Sequence, residues 1–127
     1  MNHDLYRRGI ELFNSGRFYD AHEVLEDAWR ENNGPEKLFL QGLIQVAVGL
    51  HHLSTGNDVG ALSLLARAGR NLSQYPEVYC GIELERFRDA VSDFRMSIAG
   101  NPEVTSQAHT KPVLPRICFK AAMDAES

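Results

Sequence analysis

Polar and aromatic side chains recur at spacings of three and four in the segment that follows Phe18. They are His22, Glu23, Glu26, Trp29 and Arg30. Residues three or four positions apart share one face of an α-helix. A helix beginning at Phe18 would therefore gather His22, Glu26 and Trp29, with Glu23 and Arg30 at the edges. Such a face is either a buried hydrogen-bonded network or a site for a ligand, a metal ion or a reaction.

His22 and its neighbouring carboxylates raise two chemical alternatives. A metal site would combine His22 with Glu23 or Glu26 and with His51 or His52. The sequence lacks both the H-E-x-x-H pattern of metalloproteases and the E-x-x-H pattern of di-iron bundles. We therefore predict no metal and no cofactor. A His22–Glu26 acid–base pair has suitable spacing but no neighbouring nucleophile, so a small hydrolase or metal-dependent enzyme is the alternative function and catalysis stays undecided.

Two glutamines on the next predicted helix suggest a structural explanation for the same face. An antiparallel hairpin with its turn near Gly34 would bring Gln41 level with Glu26, and Gln45 level with His22. Each amide offers donors and an acceptor, which match a carboxylate or an imidazole. We expect hydrogen bonds between Glu26 and Gln41 and between His22 and Gln45, in a network that fixes the register of the two helices.

Apolar residues recur with helical period in five segments, and no segment alternates clearly enough to predict a strand. The third segment is apolar on most of its circumference, which predicts a central buried helix. The main stripe residues are Leu5, Gly9, Leu12 and Phe13; Phe18, Ala21, Leu25 and Ala28; Leu38, Phe39, Leu43, Ile44, Val46, Ala47 and Leu50; Ala61, Leu62, Leu65, Ala68 and Leu72; and Leu84, Phe87, Val91, Phe94 and Ile98.

An internal repeat relates the first two hairpins, because a shift of 40 residues pairs identical side chains. The pairs are Gly9 and Gly49, Gly16 and Gly56, Ala21 and Ala61, Leu25 and Leu65, Ala28 and Ala68, and Arg30 and Arg70. This pattern predicts two copies of a helix, a glycine turn and a second helix. Such a unit is similar to a tetratricopeptide hairpin with a longer period.

The second copy is an internal control for the first. It carries apolar or small residues where the first copy carries its polar set: Leu62, Ser63, Ala66 and Gly69 replace His22, Glu23, Glu26 and Trp29. The hairpin can therefore be built without the polar set. A requirement beyond the generic hairpin must explain why the first copy has it.

Composition limits the class of protein. The chain has 127 residues, of which 43% are hydrophobic and 24% charged, as expected for one globular domain. We predict a helical domain over 1–100 and an irregular, proline-containing C-terminal tail over 101–127. The net charge of -4, with both signs interspersed, argues against a nucleic-acid partner. No segment resembles a signal peptide or a membrane span, so we expect a cytoplasmic protein without a membrane partner.

Two lesser groups of residues receive structural interpretations. Cys80 and Cys118 lack the spacing of a metal site or a disulfide framework, so we expect free thiols. The charged residues of the fifth helix indicate a solvated face. They are Arg86, Arg88, Asp89 and Asp93.

The sequence resembles the bacterial and archaeal family called domain of unknown function 309 over about residues 5–75. The resemblance rests on F-N-x-G-x-F-x-x-A-H-E-x-x-E-x-x-W-R at 13–30, F-x-Q-G-L-I-Q-x-A at 39–47 and G-N-x-x-G-A at 56–61. It implies a small all-α fold and carries no established activity. The signature residues it implies are His22, Glu23, Glu26, Trp29, Arg30, Gln41 and Gln45. We predict an interaction or ligand-binding module for an unknown protein or small-molecule partner, with its polar site between the second and third helices.

Overall fold

The computed structural model describes residues 1–99 and 113–120 and confirms the predicted all-α fold. Within these ranges, successive helices pack on one another from α1 to α5. None of the helices in these ranges has the length and apolar character needed to cross a membrane. The elements are α1 (His3–Asn14), α2 (Phe18–Glu31), α3 (Glu36–Ser54), α4 (Asp58–Leu72), β1 (Val78–Tyr79), β2 (Ile82–Glu83) and α5 (Leu84–Ala99).

The turns of the first two hairpins have the same backbone geometry. Gly16 and Gly56 have φ angles of 82° and 87°, in the left-handed region that a residue with a Cβ enters only at a cost. In both turns the N–H after the glycine donates to a carbonyl of the preceding helix. Asn57 also caps α4, since its side chain accepts a hydrogen bond from the Gly60 N–H. The glycine turns of the predicted repeat are thus present in both hairpins.

Close packing inside the two hairpins follows the same repeat. Gly9 of α1 lies against Leu25 of α2, and a Cβ built on Gly9 would lie 2.5 Å from the leucine Cδ2. Gly49 of α3 lies against Leu65 of α4, where the corresponding distance is 3.2 Å. Both pairs are related by the shift of 40 residues. Conserving this contact in both copies explains why the stripe contains glycine rather than alanine.

The third helix is the centre of the core, as its apolar circumference predicts. It packs against α2 on one side and α4 on the other. Gly42 faces α4, because a Cβ at this position would lie only 2.6 Å from Cδ2 of Leu72. The buried residues of α3 are Phe39, Leu40, Gly42, Leu43, Val46, Ala47, Gly49 and Leu50.

A small β-hairpin between α4 and α5 is absent from the sequence prediction. Val78–Tyr79 pairs antiparallel with Ile82–Glu83 across a two-residue turn. Cys80 and Gly81 occupy that turn with φ angles of 49° and 77°. Two positive φ angles are typical of the tight turns whose twist suits paired strands. Strands of two residues are too short to produce an alternating pattern, so no periodic signal marks them.

Part of the predicted C-terminal tail is fixed to the helices. We call residues 113–120 the C-terminal strap. The Asn14 side chain holds the strap with two hydrogen bonds: Nδ2 donates to the Ile117 carbonyl (2.8 Å), and the Ile117 N–H donates to Oδ1 (2.9 Å). The Ile117 side chain is buried, and Ile82 forms an isolated bridge with Phe119. The remainder of the predicted tail, 101–112 and 121–127, lies outside the described residues, and a single domain over 1–100 remains a prediction.

Candidate functional site

Three of the predicted site residues form a continuous row of contacts along α2. Nε2 of His22 lies 3.3 Å from Oε2 of Glu26, and the other carboxylate oxygen of Glu26 lies 2.5 Å from Nη2 of Arg30. Arg30 also reaches Oδ1 of Asp27 at 3.1 Å. The side chains become more exposed along the row, from 23% for His22 to 34% for Glu26 and 61% for Arg30. Glu23 is exposed and has no such partner in the described part of the chain.

Two buried polar atoms beside this row have no hydrogen-bond partner among the described residues. They are Nδ1 of His22 and Nε1 of Trp29. A buried polar atom left unpaired costs about 1 to 3 kcal/mol. Trp29 is nevertheless held in place by Lys37 of α3. The Lys37 amine lies 4.0 Å from the centre of the indole ring and donates a hydrogen bond to the Trp29 carbonyl at 3.1 Å.

A second row of half-buried residues runs along α3 beside the first. Lys37 contacts Trp29 at one end, and the His51 ring lies 5.2 Å from the Tyr19 ring at the other. Tyr19 is also 5.6 Å from the His22 ring. Helical spacing places Gln41, Ile44 and Val48 on the same face of α3 between these contacts. We use the name α2–α3 face for the following residues of these two helices: Tyr19, His22, Glu26, Trp29, Lys37, Gln41, Ile44, Val48 and His51.

The hydrogen bonds expected from Gln41 and Gln45 are not formed among the described residues. Gln45 instead accepts a hydrogen bond from Nδ2 of Asn71 on α4 (2.9 Å), so the expected pairing with His22 is wrong. The expectation considered only how far each residue lies along its helix axis. It did not consider the rotation of α3 about its own axis, which decides the direction of each side chain. Gln45 points about 100° away from Ile44, towards α4. The Gln41 side chain has no hydrogen-bond partner in the described ranges, and its expected pairing with Glu26 is not made.

The two ring nitrogens of His22 have different surroundings. Its Nε2 faces Glu26, which is itself paired with Arg30, while its Nδ1 is buried. A general base needs a ring nitrogen within reach of the proton it removes. In this ring Nε2 contacts a carboxylate and Nδ1 is buried. Among residues 1–99 and 113–120, no group of three or more His, Cys, Asp or Glu side chains is placed to hold a metal ion.

Three residues of this face were not predicted from the sequence: Tyr19, Lys37 and His51. Tyr19 precedes His22 by three positions, so its place on the same helix face was readable from spacing. Lys37 gave no signal, because a lysine near a helix start is common on solvated surfaces. His51 was considered only as a metal ligand, whereas its ring packs against Tyr19.

One residue of the fifth helix departs from the predicted solvated face. Arg86, Asp89 and Asp93 are exposed, as expected. The Arg88 side chain is only 21% exposed, and its Nη1 donates a long hydrogen bond to the Leu72 carbonyl (3.5 Å). The solvated interpretation is therefore wrong for Arg88, because this residue lies on the side of α5 that packs on α4.

Comparisons with known proteins find a matching family model and relatives without an assigned activity. A family model described as a domain of unknown function (DUF309) matches residues 6–64. An uncharacterized protein of Aquifex aeolicus (strain VF5) is 31% identical over 86 residues, which are 67% of this chain and 26% of that protein. The uncharacterized protein YpuF of Bacillus subtilis (strain 168) is 34% identical over 64 residues, 50% of this chain and 37% of YpuF. The chain thus spans well under half the length of these two relatives.

Proposed function

This chain carries a DUF309 domain at residues 6–64, and on that premise we propose that its α2–α3 face binds a segment of a partner protein. The observation that carries the proposal is the contrast between the two hairpins. Residues 21–30 and 61–70 have the same pattern of buried, half-buried and exposed positions. The first copy nevertheless keeps two unpaired buried polar atoms where the second has Leu62 and Gly69.

The energetic cost of these polar groups supports a functional role for them. Each unpaired buried atom costs about 1 to 3 kcal/mol, and the sister hairpin avoids this cost with apolar or small side chains. A fold-level advantage would require compensating contacts. Glu26 contacts His22 and Arg30 within one helix, and such partly exposed contacts are worth only about 0.3 to 0.5 kcal/mol each. Strained or unsatisfied features that the fold does not need are typical of functional surfaces.

The chemistry of the face suits a polypeptide. Ile44 and Val48 supply a half-buried apolar centre, and the unpaired amide of Gln41 offers both donors and an acceptor. Tyr19 is 51% exposed at one end, and Arg30 is 61% exposed beyond the other. Aromatic and arginine side chains around an apolar centre are enriched where proteins bind one another. A peptide segment combines apolar side chains with main-chain amides, which matches this mixture.

Site-specific photo-crosslinking in cells tests the proposal. A benzophenone side chain would replace Tyr19, and a matched control would replace Val59, the equivalent residue of the second hairpin, which is 81% exposed. We expect a discrete protein adduct from position 19 and none from position 59. The adduct should disappear when His22 and Trp29 are replaced by leucine and glycine, the residues of the second hairpin.

Other outcomes would contradict the proposal. Equal adducts at both positions, or an adduct at position 19 that survives both replacements, would show that the α2–α3 face is not the recognition surface. Native mass spectrometry of the purified protein covers the remaining case. If a small molecule is tightly bound to the wild type and is lost in the same double variant, the α2–α3 face binds a small-molecule ligand and not a protein partner.

A further inference from the structure

A second candidate site lies on the other side of the molecule, in a groove between α4 and α5. The groove has a volume of about 460 Å³ and apolar walls that include Leu65 and Val91. Its polar lining consists of three arginines, two serines and one aspartate: Arg70, Ser73, Arg88, Asp89, Ser92 and Arg95. The lining is therefore net positive, although the whole chain has a net charge of -4. We call it the α4–α5 groove.

The arginines of the groove have unused hydrogen-bonding capacity. Arg88 is only 21% exposed, yet its Nη2 is 3.8 Å from the Glu85 carboxylate and its Nη1 is 3.5 Å from the Leu72 carbonyl. Both distances are longer than a good hydrogen bond. The guanidinium groups of Arg70 and Arg95 make no hydrogen bond or ion pair within the described part of the chain. A largely buried guanidinium with such weak partners is costly unless another group satisfies its donors.

The repeat explains why the groove is open. Gly69 occupies the position of Trp29 in the first hairpin, under the shift of 40 residues. A Cβ built on Gly69 would meet no other atom within 4 Å. In the first hairpin the indole ring of Trp29 lies at this position, and the Lys37 amine packs over it. The second hairpin therefore has open space at Gly69, in a groove that three arginines line.

We propose that the α4–α5 groove binds a small molecule with a planar ring and an oxyanion group, either a phosphate or a carboxylate. The ring lies beside Gly69, in the space that Trp29 fills in the first hairpin. The oxyanion lies against Arg70, Arg88 and Arg95, whose planar guanidinium groups suit paired oxygens. The Ser92 hydroxyl lines the same groove and can supply a further donor, whereas the Ser73 hydroxyl already donates to the Arg70 carbonyl (2.8 Å). This site is separate from the α2–α3 face, so either proposal can fail alone.

Binding of simple probes tests the inference. Phenyl phosphate, benzoate and inorganic phosphate would each be titrated at constant ionic strength, with NMR detection of the arginine Nε–H signals. We expect at least one ring-bearing probe to shift the signals of groove arginines and to bind about fivefold more tightly than inorganic phosphate. Phenyl phosphate and benzoate distinguish the two oxyanions. Equal, weak responses to all three probes would indicate general charge screening and would overturn the proposal.

Matched variants locate the binding. Gly69→Trp restores the side chain of the first hairpin and should weaken binding about tenfold or more by filling the ring space. Gly69→Ala is the control, because its added Cβ has room, and it should bind within about twofold of wild type. Arg70→Gln combined with Arg95→Gln removes two charge-assisted contacts and should weaken binding about tenfold or more. Wild-type affinity in Gly69→Trp, provided its circular dichroism spectrum is unchanged, would refute the proposed position.

Discussion

Replacing His22 by leucine and Glu26 by alanine separates function from stability, because the second hairpin carries these residues at the same positions. The double variant loses the His22–Glu26 and Glu26–Arg30 contacts. Both are partly exposed pairs within one helix, worth about 1 kcal/mol together at most. It also removes the unpaired buried Nδ1, which returns about 1 kcal/mol or more. We therefore expect an unfolding free energy within about 1 kcal/mol of wild type.

Neither glutamine changes this estimate. Gln45 keeps its hydrogen bond with Asn71, and Gln41 loses no partner among the described residues. The replacement therefore leaves no glutamine newly unpaired. Urea denaturation followed by circular dichroism measures the unfolding free energy, and an unchanged m value would show that the unfolded states are comparable.

The reciprocal exchange in the second hairpin is the control. Leu62→His with Ala66→Glu introduces the same helical pair, but it replaces a half-buried leucine by a polar ring. We expect a loss of about 1 to 2 kcal/mol, because apolar burial is lost without a matching contact on a neighbouring helix. A loss above about 2 kcal/mol in the first hairpin variant would mean that the α2–α3 face holds the fold together, and our reasoning would be wrong.

Three further predictions concern packing, the strap and pH. Gly42→Ala should lower the unfolding free energy in urea by about 1 to 3 kcal/mol, because its Cβ would lie 2.6 Å from a leucine of α4. Gly69→Ala should instead raise it by about 0.5 to 1 kcal/mol. Similar effects at both sites would contradict this packing. Asn14→Ala should lower the unfolding free energy by about 1 to 3 kcal/mol, since both main-chain groups of Ile117 lose their partner. It should also speed proteolysis of the strap. An unchanged rate of cleavage would refute this prediction. Burial raises the pKa of the Cys80 thiol from 9.0 to about 11. The folded state therefore favours the neutral thiol. The stability that this preference contributes is present below pH 9 and is lost as pH rises to about 11. A Cys80→Ala variant that loses the same stability at alkaline pH in denaturation curves would exclude this thiol as the cause.

The helices could be predicted because each one carries a signal of its own. The stripe from Phe18 to Ala28 and the glycines of both turns determine the hairpins locally. The β-hairpin could not be predicted, since two-residue strands have no period and depend on the turn at Cys80 and Gly81. Its positive φ angles could at most have been suggested by the glycine.

The candidate site was predictable on one helix and less so between helices. Spacing alone placed His22, Glu26 and Trp29 on one face with Arg30 at its edge, and in the structure Glu26 contacts both His22 and Arg30. The partner of Gln45 was missed because sequence distance from a turn gives position along a helix but not rotation about its axis. The buried position of Arg88 was missed for a related reason, since a charged helix face gives no indication of which neighbour covers it.

The contact between Gly42 and Leu72 also bears on where the cooperative unit of this protein ends. The family match stops at residue 64, inside α4, whereas Leu72 lies at the last turn of that helix and fills the notch above Gly42. A fragment ending at residue 64 would expose this notch and the apolar side of α3 that Leu72 covers. The end of the family match is therefore not the end of a segment that folds on its own. A chain truncated at residue 64 should populate partly unfolded forms.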